Sequence, residues 1–149
     1  MKLLTGTNAG LISLGILLLR LITGVILFVA GAGKIFGWFG GMGYKTTLEM
    51  FDKYMHISAF WAGVSTYAEF IGGILLILGL FTRPAAFVLV INMIVAVYMV
   101  GLKKFFMVNE GGAVYAFLVL INSLVILLAG PMSVSMDSLL FGRRRNIHP

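Results

Sequence analysis

The chain contains no cysteine among its 149 residues. Disulfide exchange, thiolate catalysis and cysteine-held metals or clusters are therefore excluded within it. Histidine is almost as scarce. His56 and His148 are the only two, and the apolar runs between them put them on opposite sides of a membrane. They provide neither a bis-histidine haem site nor a His-rich metal site within one subunit. No serine–histidine–acid arrangement falls in a plausible pocket. Charged residues make up only 11% of the chain. The net charge is +6, but the basic residues are scattered between apolar runs and do not interleave with aromatics. That pattern fits membrane flanking and argues against nucleic-acid binding. Gly31-Ala32-Gly33-Lys34 hints at a nucleotide loop, yet no strand precedes it and the spacing is wrong.

What the chain does have is apolar surface. Hydrophobic residues are 60% of it and mean hydropathy is +1.07, far from the balance of a soluble domain. The length suits a single membrane domain. Four apolar runs, at about residues 10–35, 58–81, 84–101 and 113–129, predict an all-α bundle of four transmembrane helices. The first run is too long for a signal-peptide core and is interrupted by Arg20, so it is expected to be retained. Pro84 favours the first position of the third helix, and Gly130-Pro131 stops the fourth. Residues 103–106 look interfacial, and 109–112 form a polar turn.

The first connection is more than a loop. Gly37-Trp38-Phe39-Gly40-Gly41-Met42-Gly43 combines flexibility with interface-seeking aromatics. Thr46 and Glu49 then fit a capping box. Leu48, Phe51 and Met55 share one face, which predicts a short interfacial helix at about 46–56. A second interfacial piece is expected at 136–141, with Asp137 as its cap. Four spans put both termini on one side. Lys and Arg tie between the two sides, and the Arg143–Arg145 cluster tips the termini towards the cytoplasm of a cell-membrane protein.

Arg20 and Glu69 are the most informative residues. Charges inside hydrocarbon are costly and normally face protein and a partner. Counted from the start of its run, each lies roughly 15 Å deep, near the middle of a ~30 Å core. Asn92 and Asn122 count to similar depths. The expectation is a midplane polar centre of Arg20, Glu69, Asn92 and Asn122, with Ser65 and Thr66 nearby and Arg20 contacting Glu69 directly. Helical spacing aligns Arg20, Gly24, Leu27, Gly31 and Lys34 in the first span, and gathers Glu69, Gly72 and Gly73 in the second. Gly24, Gly31, Gly72 and Gly73 are read as close-packing positions. Lys34 is read as a snorkelling residue at a span end, and the nine methionines as gap fillers. Two readings of the centre stand side by side: an anchor that fixes helix register, and a ligand or proton site.

The ordered pieces Leu19-Arg20-Leu21 with Gly24, Gly31 with Lys34-Ile35-Phe36, Glu69-Phe70-Ile71-Gly72-Gly73, Leu78-Gly79-Leu80-Phe81-Thr82-Arg83, Gly130-Pro131 and Asp137 resemble the DoxX family of small four-helix membrane proteins. The resemblance covers nearly the whole chain. It implies a link to quinone-reducing sulfur oxidation, or to redox-protective enzymes that such proteins accompany in the membrane. Three positions depart from the family pattern. Ala30 stands where many members have His, Val114 where many have Glu, and Val100 near another frequent His. These departures argue against stand-alone catalysis. Two functions follow as expectations. One is a redox-linked subunit, with no intrinsic cofactor, that binds a quinone at the Arg/Glu/Asn centre and takes electrons from a partner protein. The alternative is a non-catalytic scaffold or anchor in a larger membrane complex. A small-solute transporter is disfavoured, because no inverted repeat is evident.

Overall fold

A computed structural model gives the fold and describes residues 9–100, 113–131 and 135–141. The expected interfacial stretch at 103–106, the polar turn at 109–112 and the tail arginines lie outside those residues. All regular structure among the described residues is helical. Helix α1 spans Ala9–Phe36, α2 Tyr44–Met55, α3 Ala59–Leu78, α4 Thr82–Val100, α5 Val114–Ala129 and α6 Met136–Phe141. Three of them, α1, α3 and α4, are long and apolar enough to cross a membrane, while α5 is apolar but shorter, at 16 residues.

Each helix stops for a local reason. Gly37 and Gly43 adopt positive φ (+72° and +77°) on either side of a short 3-10 turn at Trp38–Gly40, a conformation open to glycine at no steric cost. Their amides both donate to the Gly33 carbonyl at 3.1 Å, which ties the connection to the end of α1. Helix α2 begins at Tyr44 without a side-chain cap. The expected capping box of Thr46 and Glu49 is therefore not formed, because the helix starts two residues before Thr46. Thr47 is the buried residue instead, and its hydroxyl donates to the Lys34 carbonyl at 3.3 Å. Helix α3 ends in a Schellman arrangement. Leu80 N donates to Leu75 O and Gly79 N to Leu76 O, with Gly79 at φ +66°. The chain turns there, three residues earlier than the apolar run suggested. Pro84 then falls inside the first turn of α4, where its missing N–H costs nothing.

The tightest packing joins α1 to α3. A Cβ on Gly31 would lie 2.6 Å from Phe70 N, one on Gly73 2.5 Å from Phe28 N, and one on Gly24 3.0 Å from Ile77 N. The residue pairs descend on one helix as they rise on the other, so the helices run antiparallel with backbones in near contact. The stripe expected on α1 is buried: Arg20, Gly24, Leu27 and Gly31 all face inward. Helix α4 packs chiefly on α5. Leu27, Leu76, Leu89, Met93 and Ile126, at most 1% exposed, fill the space between the four apolar helices. Dispersion contacts among such side chains stabilise the assembly even where lipid removes the hydrophobic contrast.

Gly73→Val should lower detergent-solubilised stability by about 1–3 kcal/mol, as for other overpacked sites. Gly15→Ala, where an added Cβ meets nothing within 4 Å, should be neutral or slightly stabilising. Thermal unfolding followed by circular dichroism reads both. Equal effects at the two positions would refute the close-approach account.

Candidate functional site

The α1–α3 register decides where the charges go. Gly31 opposes Phe70, so Glu69 stands at the level of Lys34, whereas Arg20 lies against Gly79. Gly79 is ten residues beyond Glu69, about 15 Å along the helix. Arg20 and Glu69 therefore do not meet, contrary to the expected direct pair. Counting depth from the first apolar residue misled because α1 has 28 residues against 20 in α3. Its first eleven residues precede the level at which α3 ends.

Glu69 is the centre of one polar cluster. Its side chain is 5% exposed and accepts an ion pair from Lys34 Nζ at 2.5 Å on Oε2. Its other oxygen faces Asn92 Nδ2 at 3.5 Å, a long and weak contact. Lys34 is not the freely snorkelling residue that the sequence suggested. Its side chain keeps 31% of its exposure and lies 5.9 Å from the Phe51 ring centroid of α2. Tyr115, at the start of α5, is within reach of the Glu69 charge. The cluster thus joins α1, α3 and α4, with α2 over its outer edge.

Arg20 organises the opposite end. Its Nη1 donates to the Pro131 carbonyl at 3.0 Å. A Cβ on Gly79 would sit 2.7 Å from the same nitrogen, so a larger residue would displace the guanidinium and also be strained at φ +66°. Asp137 adds a nearby negative charge. Its carboxylate accepts from the Phe81 and Thr82 amides at 2.8 and 2.9 Å, and its own amide donates to Gly79 O. Asp137 therefore caps α4. The expected cap on α6 is made by Ser135, whose Oγ accepts from Ser138 N at 3.0 Å. This end is a knot of helix termini held by Arg20 and Asp137, at a helix N-terminus where negative charge is favoured.

The remaining candidates scatter. Thr66 is buried and donates to Ala62 O within its own helix at 2.8 Å. Ser65 and Asn122 are half-buried, and neither makes a side-chain hydrogen bond among the described residues. Gly72 packs on Leu89. No group of three His, Cys or acidic residues suited to a metal occurs among the described residues. An apolar groove of about 670 Å³ lies between α3 and α4. Pro84, Ala85 and Val88 line it, and Asn92 continues their helical stripe at i+4 from Val88. Neither Asn92 nor Glu69 is among the lining residues. Lys34 was missed as the partner of Glu69. The signal for Lys34 was present, since it closes the Arg20–Gly31 stripe, but only the antiparallel register turns that stripe into a contact.

Comparison with known proteins gives two findings. The family profile described as DoxX matches residues 15–109. A protein of Bacillus subtilis (strain 168) named "Putative oxidoreductase CatD" is 35% identical over 133 residues, covering 89% of this chain and 92% of that protein. No solved structure matches.

The two halves of the ion pair are unequally buried, and their removal should cost unequally. Lys34→Met leaves a buried carboxylate unpaired and should cost about 3–5 kcal/mol. Glu69→Gln leaves a lysine that can reach water and should cost about 1 kcal/mol or less. A double-mutant cycle in detergent unfolding should give a coupling of roughly 0.5–3 kcal/mol for Lys34–Glu69 and additivity within ~0.5 kcal/mol for Arg20–Glu69. Coupling of Arg20 to Glu69 as strong as that of Lys34 would overturn the register.

Proposed function

This chain belongs to the DoxX family, and on that footing we propose that it is the membrane-embedded, redox-linked partner of an oxidoreductase, with a quinone bound beside Asn92 and Glu69. The observation that carries the proposal is the buried Glu69 carboxylate, ion-paired to Lys34 and only weakly engaged by Asn92. Asn92 Nδ2 is then available to donate to a quinone carbonyl arriving between α3 and α4. Lys34 and Glu69 lie behind it as a proton-holding pair, with Lys34 partly open at the α2 end. Reduction to the quinol needs two electrons and two protons. The electrons come from the partner protein, because the chain has no thiol and no histidine pair to hold a redox centre. The name of the Bacillus relative supports the redox assignment.

In this proposal α1, α3, α4 and α5 are four spans of a cell-membrane protein. Helix α2 lies on the membrane surface, and both termini are cytoplasmic. The amphipathic face of α2 and the tail arginines support that arrangement. One observation favours the scaffold alternative: both Glu69 oxygens already have internal partners, and Arg20 serves a structural knot. A scaffold would need nothing more.

One measurement tests the topology and a second separates the two readings. Reporter fusions at Lys45 and Pro149 should fall on opposite sides of the membrane, and placement on one side would refute four spans. A soluble quinone analogue should raise the melting temperature of the wild type and of Asn122→Leu, but not of Glu69→Gln or Asn92→Leu. No shift at saturating analogue would leave the scaffold.

A further inference from the structure

We propose that two copies of this chain pair in the membrane through α1, along a seam of Leu11, Leu14, Leu18, Ile22 and Val25. The pairing concerns the outer face of α1 and not the Glu69 site, and it rests on the four-span reading given above.

Lengths create the need for a cover. Helix α1 has 28 residues and α3 has 20, about 42 and 30 Å. Glycine contacts lock the two together, so they tilt as one. Fitting 42 Å into a ~30 Å core would need a tilt of about 45°, beyond the usual range of about 0–40°. Helix α3 would then span only about 21 Å. Side chains mark the same boundaries. Trp38, Tyr54 and Trp61 are exposed at one end of the bundle, where interfacial aromatics belong. Arg20, Arg83 and Asp137 gather at the other. From Trp61 to Leu78, α3 measures about 26 Å. The body of the bundle therefore fills the core, and the eleven residues Ala9–Leu19 project past it by about 16 Å. None of them is charged, and only Ser13 is polar. An apolar helix standing out of the bilayer needs another protein surface against it.

The pattern of exposure selects a second copy as that surface. Leu11, Leu14, Leu18, Ile22 and Val25 are 49–57% exposed and follow one another at spacings of three and four, which keeps them on one face. The opposite face carries Arg20, Gly24, Leu27 and Gly31, all buried. Leu11, Leu18 and Val25 repeat every seven residues with Leu14 between the first two, the spacing of a parallel helix seam. Two copies inserted with one topology pair about a two-fold axis along the membrane normal, which makes their α1 helices parallel. Each residue of the stripe then meets itself. Such a seam tolerates no charge, since every charge would face its like. This stripe has none, and Arg20 is turned away to the Pro131 carbonyl. The seam also runs unbroken from the projecting segment into the bilayer. Its outer part is stabilised by burial from water, its inner part by packing. A different chain would be recognised by charge or hydrogen bonding, and the stripe offers neither.

The lack of cysteine makes the test direct. Leu11→Cys, Leu14→Cys and Leu18→Cys, each alone in the full chain, are oxidised in isolated membranes with copper phenanthroline. Each should give a disulfide-linked species of twice the 16.2 kDa chain. Ile12→Cys, on α1 but off the stripe, and Phe87→Cys, on α4, replace similarly exposed residues and should cross-link at least about fivefold less. Leu14→Glu sets two carboxylates against each other and should weaken the dimer about tenfold or more, read by single-molecule photobleaching in bilayers, with unchanged helix content. Co-expression with Leu14→Lys should restore pairing as a mixed dimer. If Leu14→Glu fails to fold, the cysteine series carries the test. Equal cross-linking through Ile12→Cys and Phe87→Cys, as random collision would give, overturns the proposal. So do adducts to another protein in place of the doubled chain, or an undiminished dimer of folded Leu14→Glu. The reporter fusions at Lys45 and Pro149 judge the four-span reading separately, so four spans without cross-linking along the stripe would refute the pairing alone.

Discussion

The near contact of α1 and α3 backbones is the constraint on which the rest of the structure depends. Gly24, Gly31 and Gly73 leave no room for a side chain between these helices. Close approach of that kind admits one register, because sliding by a turn would drive Ile77 or Phe70 into the opposing backbone. In lipid, helix association relies on such packing and on internal polar contacts, since the solvent is as apolar as the core. Once the register is set, the positions of the charges follow. Lys34 must face Glu69, and Arg20 must face the end of α3.

The two polar clusters then divide the work by chemistry. Arg20 and Asp137 sit among helix ends, where backbone carbonyls and amides lack intrahelical partners. Arg20 satisfies the Pro131 carbonyl, and Asp137 satisfies two amides that start α4. These contacts tie helix ends together and are of a structural kind. Glu69 is different. It is buried inside the helix assembly, and its contact with Asn92 is long. A buried carboxylate with a lysine on one oxygen and a loosely held amide on the other has capacity for a further partner. The apolar seal of Leu27, Leu76, Leu89, Met93 and Ile126 separates the two clusters, so neither completes the other.

The residues on which the sequence resembles the DoxX family also make this framework. Arg20, Gly24, Gly31, Lys34, Glu69, Gly72, Gly73 and Gly79 carried the resemblance, and most of them now have a mechanical reason to be what they are. Gly79 must turn left-handed beneath the Arg20 guanidinium. Gly31 must let Phe70 approach. In this chain those residues serve largely helix packing and helix termination. Chemistry has to be sought in the few groups that packing leaves over, namely Asn92, Tyr115 and the partly open Lys34.

Sequence alone determined the class of protein and its elements. Apolar runs of membrane length, the amphipathic stretch before Ser58, the stop at Gly130 and the inward stripe from Arg20 to Gly31 could all be seen, because each depends on residues close in the chain. Asp137 was recognisable as a cap, but which helix it caps was not, since α4 lies more than fifty positions away in sequence. The helix starts at Tyr44 and Thr82 were misplaced by two residues each, as the capping signals at Thr46 and Pro84 are weaker than the turns that precede them. The partner of Glu69 was decided only by tertiary structure. Depth counted along one helix says nothing of how far that helix slides past its neighbour, and the slide is fixed by glycine contacts across the pair. Eleven residues of offset between Arg20 and the first residue of α1 were enough to turn an expected Arg–Glu centre into two clusters at different levels.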